Sequence, residues 1–328
     1  MKIKSIDFIK QSKYAFAISA LAIILSFVGL FTKGLDYGID FLGGILVEVQ
    51  SEEQIDMAQM RHKVDELALG ETNLQSIGTS GREMLIHVVA DTTDKAEQAR
   101  IIAQIKETLG EGIEYRRIEV VGPKVGEELL HKSLWASVLA LAAIAIYIWF
   151  RFEWQFALTC LLALAHDLIV TVGLFAWTGL DFNMTVVAGL LSMAGYVTND
   201  KVVNFDRIRE NLKLYRKMPV IELLNKSLND TLSRTLLTSV TTMLMLVILI
   251  FFGGETLYGF SICLLFGIVI GTYSSLYLAV PMLKYFDLRA VSAKADEVGP
   301  YAEAAKFEME AKKEPLGRYS KCGGSCRH

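Results

Sequence analysis

Apolar and polar residues alternate along this chain on two length scales. At six places the apolar run is long enough to cross a bilayer, which takes roughly 17–25 residues with few charges. These runs cover about 14–32, 133–151, 155–177, 183–204, 235–253 and 257–281. Between the first two, from Lys33 to Lys132, the period shortens. Gly44–Gln50 (GILVEVQ) alternates as a half-buried strand does. Ser51 and Gln54 fit a capping box, and Met57, Met60, Val64, Leu67 and Ala68 follow at helical spacing. Thr72–Ser80 and Arg82–Ala90 read as two strands that turn at Ser80-Gly81. Asp94 and Glu97 cap a second helix with Ile101, Ile102, Ile105 and Leu109 on its apolar side, and Gly112 ends it. Ile113–Val121 reads as a last strand.

The order β-α-β-β-α-β is the split β-α-β pattern of ferredoxin-like domains. The predicted fold class is therefore an α-helical polytopic membrane bundle of six spans with a small α+β ferredoxin-like extracytoplasmic domain. The expected division is 1–32 (cytoplasmic N-terminus and first span), 33–132 (the extracytoplasmic domain), 133–288 (a five-span bundle) and 289–328 (a flexible cytoplasmic tail).

Basic residues orient the spans, because short cytoplasmic loops retain Lys and Arg. Segment 205–234 holds Arg207, Arg209, Lys213, Arg216, Lys217, Lys226 and Arg234, whereas the turns near Asp181 and Glu255 hold no basic residue. Both termini are thus expected in the cytoplasm. Lys2, Lys4, Lys10 and Lys13 precede the first run, which is long for a signal peptide and lacks a small-x-small cleavage site, so it reads as an uncleaved span. The 52% hydrophobic content barely exceeds that of soluble proteins (roughly 45–50%), so distribution, not average, carries the membrane reading. A net charge of -3 leaves no nucleic-acid footprint.

The chemistry to explain is ionisable groups inside apolar spans, which usually face a bundle interior or a water path. Asp200 lies in the inner part of the fourth run and Arg234 at the start of the fifth, at similar depth. Thr235, Thr238, Ser239, Thr241 and Thr242 add hydroxyls, and Thr238 is one turn from Arg234. Such a group can load and release a proton, since burial raises a carboxyl pKa and a nearby cation lowers it. A structural ion pair or headgroup-level charges are the alternative, and Lys201 beside Asp200 favours a shallow, snorkelling position. His166 and Asp167 lie mid-span, as a second relay element or as a polar clamp. Ser192, Gly189, Ala194 and Gly195 permit close helix approach. The external segment holds no nucleophile–base pair, with His62 and His87 isolated, so it reads as a binding or mechanical module. Cys160 and Cys263 read as small hydrophobes. At the end of the chain Cys322, Cys326 and His328 offer three zinc-type ligands without standard spacing or a fourth member, against a plain flexible terminus.

GIDFLGG (38–44), LAHD (164–167), ND followed by FDRIREN (199–211) and RTLLTS (234–239), in this order, resemble the SecF members of the SecD/SecF family of protein-export membrane proteins, within the resistance-nodulation-division superfamily. The likeness runs over roughly residues 5–288. It implies a non-enzymatic accessory subunit in the bacterial inner membrane. Such a subunit would pair with SecD, support the SecYEG channel and SecA, and use the proton gradient to draw exported polypeptides through. Lipid is the surrounding partner, and no cofactor is implied. It places Asp200, Arg234 and Thr238 on the family's proton positions, and Asp40, Phe41, Gly43 and Gly44 on the motif at the mouth of the external domain. Lys201 and Asn204 depart from the family pattern. A proton-coupled half-transporter for small molecules and a scaffold without transport chemistry remain the competing readings.

Overall fold

The computed structural model describes residues 6–67, 69–77, 81–89, 94–110 and 112–289. Ala68, Ser80, Ala90 and the candidate ligands Cys322, Cys326 and His328 lie outside the described residues.

The chain opens with α1 (Phe8–Thr32), capped by the Asp7 side chain, which accepts from the Lys10 amide. A single turn, α2 (Ile39–Leu42), leads through Gly43 and Gly44 into β1 (Gly44–Ser51). Next come α3 (Met57–Asp65), β2 (Glu71–Ile77), β3 (Glu83–Val89), α4 (Lys95–Leu109) and β4 (Ile113–Val121). The sheet order is β2-β3-β1-β4, all neighbours antiparallel. Placing β3 between β1 and β2 is what a split β-α-β arrangement requires. Alternation builds the core: Ile45, Val47, Val49, Met84, Ile86 and Val88 point to one face, where Val64, Ile101, Ile105 and Leu109 of the two helices close over them.

Two caps differ from the expected ones. Ser51 stays in β1, paired with Ile113, so α3 is capped five residues later by Asp56, whose carboxylate accepts from the Ala58 and Gln59 amides. The second helix ends at Gly110 (φ +78°), not at Gly112. Asp94 does cap it, accepting from the Ala96 amide. His87 is not isolated: it is buried in the sheet with Nε2 3.2 Å from the Gly43 carbonyl. His62 is exposed beside Glu66.

The bundle follows as α5 (Pro123–Arg151), α6 (Trp154–Thr178), α7 (Met184–Leu214), α8 (Val220–Phe252) and α9 (Glu255–Ser274). A π-helical turn (Ser275–Ala279), α10 (Val280–Met282) and a 3-10 turn (Leu283–Tyr285) extend α9. Among the described residues five helical segments are long and apolar enough to cross a membrane: Phe8–Thr32, Pro123–Arg151, Trp154–Thr178, Val220–Phe252 and Thr256–Tyr285. The expected fourth span lies within α7, which does not meet that measure. This helix packs against α5, α6, α8 and α9 and carries buried Thr198, Lys201 and Asn204 on the faces they cover. The expected 205–234 loop is largely helical too, since α7 continues to Leu214 and α8 starts at Val220. Its charges pair between helices: Arg151–Asp206 at 2.9 Å, Arg209–Glu153 at 3.1 Å and Arg207–Asp230 at 2.7 Å. A helix satisfies its own backbone, so nothing obliges it to stop where the apolar run does.

Small residues set the helix spacings, as expected where lipid offers no hydrophobic drive between helices. A Cβ on Gly173 of α6 would fall 2.7 Å from Ser26 Cα of α1, and one on Gly271 of α9 would fall 2.1 Å from Val197 of α7. Gly189 approaches Phe260 and Cys263 of α9, whereas Gly195 faces open space. Cys160 and Cys263 are fully buried.

Gly44 adopts φ +117°, and a Cβ there would lie 2.3 Å from the Val88 carbonyl oxygen. Gly44→Ala is expected to lose at least the ~1–3 kcal/mol of a strained backbone position, read as a lowered unfolding temperature of the detergent-solubilised protein. Gly195→Ala, with nothing within 4 Å of the added carbon, serves as the neutral control.

Candidate functional site in the helical bundle

Two polar clusters lie side by side where α6, α7, α8 and α9 meet. The first is closed. Asp167 and Lys201 are fully buried, with Lys201 Nζ 2.8 Å from Asp167 Oδ2. Asp167 also accepts from Ser274 Oγ at 2.7 Å and from His166 Nδ1 at 2.9 Å. The carboxylate therefore has three donors, one of them a cation. Such satisfaction is what a buried charge requires. Lys201 does not snorkel, as its neighbour Asp200 suggested; it turns inward to a partner 34 residues earlier in the chain.

The second cluster is open on one side. Thr235 Oγ1 of α8 donates to Asp200 Oδ1 at 2.7 Å, and Ser275 Oγ donates to Oδ2. Asp200 lines a cleft of about 240 Å³ together with Tyr196, Asn199, Val203, Arg234, Thr235, Thr238, Thr241 and Thr242. That is room for several waters among polar walls. Arg234 shares the cleft with Asp200 but forms no ion pair with it among the described residues; its side chain is exposed. Equal depth on two helices does not place two side chains on facing sides. Thr238 donates back to the Arg234 and Thr235 carbonyls at 3.0 Å. One turn below, the departing residue Asn204 is buried and accepts from Thr231 at 2.6 Å.

The two clusters touch through consecutive residues. Asp200 and Lys201 are neighbours on α7 yet serve different clusters. Ser274 and Ser275, neighbours at the start of the π-helical turn, bond Asp167 and Asp200 respectively. A π turn interrupts the helical register, and such interruptions recur at functional sites. Sequence reasoning missed this serine pair, which looks like any two hydroxyls in an apolar run.

The glycine-rich motif sits at the other end of α7. Asp40 Oδ2 accepts from the Met184 amide at 2.9 Å, beside the Asn183 side chain that accepts from the Val186 amide. Asp40 thus helps cap the helix that carries Asp200. A carboxylate at a helix N-terminus also meets the positive end of the dipole. Phe41 is buried against Phe182, ring centroids 6.4 Å apart, and the Gly38 amide donates to the Phe182 carbonyl at 3.0 Å. Gly43 and Gly126 let α2 approach α5: a Cβ on Gly126 would lie 2.9 Å from the Phe41 carbonyl oxygen.

The other face of the sheet docks on the bundle. Gln75 Nε2 donates to Asp181 Oδ1 at 3.0 Å, and Arg117 Nη1 to Thr256 Oγ1 at 3.0 Å. Burial holds the Asp181 carboxyl above the 3.8 of a free aspartate, against the smaller lowering effects of His87 and the Gln75 bond. The folded state therefore binds this proton more tightly than the unfolded one. Its contribution favours folding as pH falls through the raised pKa and is lost as pH rises. Asp181→Asn keeps an acceptor for Gln75 without the charge. Its gain in unfolding temperature over the parent is expected to be largest at neutral pH and to shrink toward pH 3.8. A pH-independent difference would contradict this.

These features define a polytopic membrane protein whose ionisable chemistry lies inside the bundle and whose sheet domain is held by the ends of the same helices. Residues 101–289 match the model of the protein export membrane protein SecD/SecF C-terminal family, and residues 28–55 match the SecD/SecF GG motif. The chain is 42% identical over 284 residues to the protein translocase subunit SecF of Rickettsia bellii, covering 85% of this chain and 93% of the relative. It is 44% identical over 308 residues to that of Magnetococcus marinus, covering 92% and 99%. Among solved structures it resembles SecDF of Thermus thermophilus, a translocon-associated membrane protein, with TM-score 0.75 and 34% identity over 86% of this chain. A super-membrane-facing form of SecDF gives 0.63 and 33% over 91%. The chain spans 38% and 41% of the length of those two SecDF chains. The chain belongs to the SecD/SecF family.

Proposed function

We propose that this chain is an accessory subunit of the Sec protein translocase that works with a SecD partner and uses the proton gradient to promote export across the bacterial inner membrane. The observation that carries the reading is Asp200: a carboxylate within the bundle, bound by two hydroxyls, beside a cleft of about 240 Å³ and, among the described residues, without a cation bonded to it. Charge-free hydroxyls serve either protonation state, because each can donate to the carboxylate or accept from the acid. Arg234 and Thr238 line the cleft and bias its charge from a distance. The Asp167–Lys201 pair, with His166, acts as a clamp: its charges are already satisfied, and loading a proton there would strand the lysine. The chain acts without covalent chemistry of its own.

In this reading α7 crosses the membrane as the fourth of six spans, packed against α5, α6, α8 and α9 and exposing Ala188, Ser192, Gly195 and Asn199 along its remaining face. Both termini are cytoplasmic, and 33–132 is an extracytoplasmic, ferredoxin-like domain. Asp40 then links that domain to the proton-carrying helix. SecYEG and SecA are the partners downstream. The test is export in cells depleted of the native subunit. The chain, supplied with its SecD partner, is expected to restore export only while a proton gradient is maintained. Equal restoration without the gradient would favour a scaffold, and gradient-driven accumulation of small molecules in vesicles would favour a half-transporter.

A further inference from the structure

We propose that Ser275 is a positioning residue that reads the protonation state of Asp200 and passes it to the π-helical turn. The proposal rests on the reading that Asp200 carries a proton. Ser275 Oγ has one hydrogen and two acceptors within reach: Asp200 Oδ2, and the Thr272 carbonyl at 3.0 Å. An ionised carboxylate takes that hydrogen, since a charge-assisted bond is about twice as strong as a neutral one. A protonated Asp200 presents an O–H of its own. Ser275 then accepts from the acid and turns its hydrogen to Thr272. No covalent bond changes beyond the proton on Asp200; the serine only rotates.

The residues just before the turn tie it to two other helices. Thr272 Oγ1 is 2.8 Å from Ser239 Oγ of α8. Next to Thr272, the Tyr273 hydroxyl donates to the Ala15 carbonyl of α1 at 2.8 Å. The turn itself packs on α1, which leads directly to the glycine-rich motif and the sheet domain. The charged and titratable groups around Asp200 are few. Arg234 of α8 and Tyr196 of α7 line its cleft, while His166 and Asp167 of α6 and Lys201 of α7 lie across the serine pair. Among the described residues of α9 and the π turn, only the Ser275 hydroxyl bonds Asp200.

Infrared pH titration of the full chain in lipid tests this, following the carboxyl C=O band that disappears in Asp200→Asn. Ser275→Ala removes a donor to the charged form, so the midpoint is expected to rise by about one pH unit. Ser275→Cys, a weaker donor, should shift it the same way by less. Ser274→Ala, whose hydroxyl serves Asp167, should leave it unmoved. An Asp200 band whose midpoint is the same in Ser275→Ala and Ser275→Cys as in the parent overturns this inference and leaves the proton-carrying reading standing. If no band depends on Asp200, both fail.

Discussion

Lys201→Met is expected to be the most damaging single change in the bundle. Among the described residues it removes the one lysine or arginine bonded to Asp167, a carboxylate with no exposed surface. Ser274 and His166 remain as donors, but a buried negative charge is left without its counter-charge. Breaking such a pair from one side costs about 3–5 kcal/mol, much of a typical stability margin of ~5–15 kcal/mol. Replacing both partners, as Lys201→Met with Asp167→Asn, removes both charges and is expected to recover most of that loss. The interaction between the two sites should therefore be large and favourable in a double-mutant cycle, as it is for groups in direct contact. Unfolding of the four proteins in mixed micelles measures it. Additive losses would mean that the pair contributes nothing as a pair.

Asp200→Asn should have the opposite profile: little effect on folding and a large effect on function. Asparagine has the same shape and still meets the Thr235 and Ser275 hydroxyls, which accept from its amide or donate to its carbonyl. It cannot take up or release a proton. The variant should accumulate, assemble with its partner and unfold at the parent's temperature. Its support of export should fall to the level of cells lacking the subunit. Arg234→Ala is milder in this account, because the guanidinium shares the cleft with Asp200 without bonding it.

The physics that writes itself into consecutive residues was legible before any coordinates. Lipid demands long apolar runs, so five of the six expected spans coincide with helices that meet the length and apolarity required. The helix-covered face of the sheet demands an apolar residue at every second position, so the four strands were found to within a residue or two wherever they are described. The resemblance placed Asp200 in the motif order, and the structure supplies a cleft for it. What was not legible depends on which groups meet across helices. Lys201 is expected from the sequence to snorkel beside Asp200, because a long cationic side chain can reach the membrane surface; its partner is instead Asp167, on another helix. Asp200 and Arg234 matched in depth, but helix rotation, which hydropathy does not encode, turned them to share a cleft and not a bond. The α3 cap was misplaced because Ser51 had a second option: its backbone pairs with β4, and Asp56 is left to serve the helix amides. Ser274 and Ser275 carried no signal at all, since serine in a membrane helix usually bonds its own backbone, as both of these also do.

The central claim is that Asp200, and not the Asp167–Lys201 pair, carries the proton. Proton uptake into vesicles containing the chain and its SecD partner tests it most directly. An imposed pH gradient should drive uptake with the parent and with the Asp167→Asn, Lys201→Met double variant, and should drive none with Asp200→Asn. Undiminished uptake with Asp200→Asn would contradict the account.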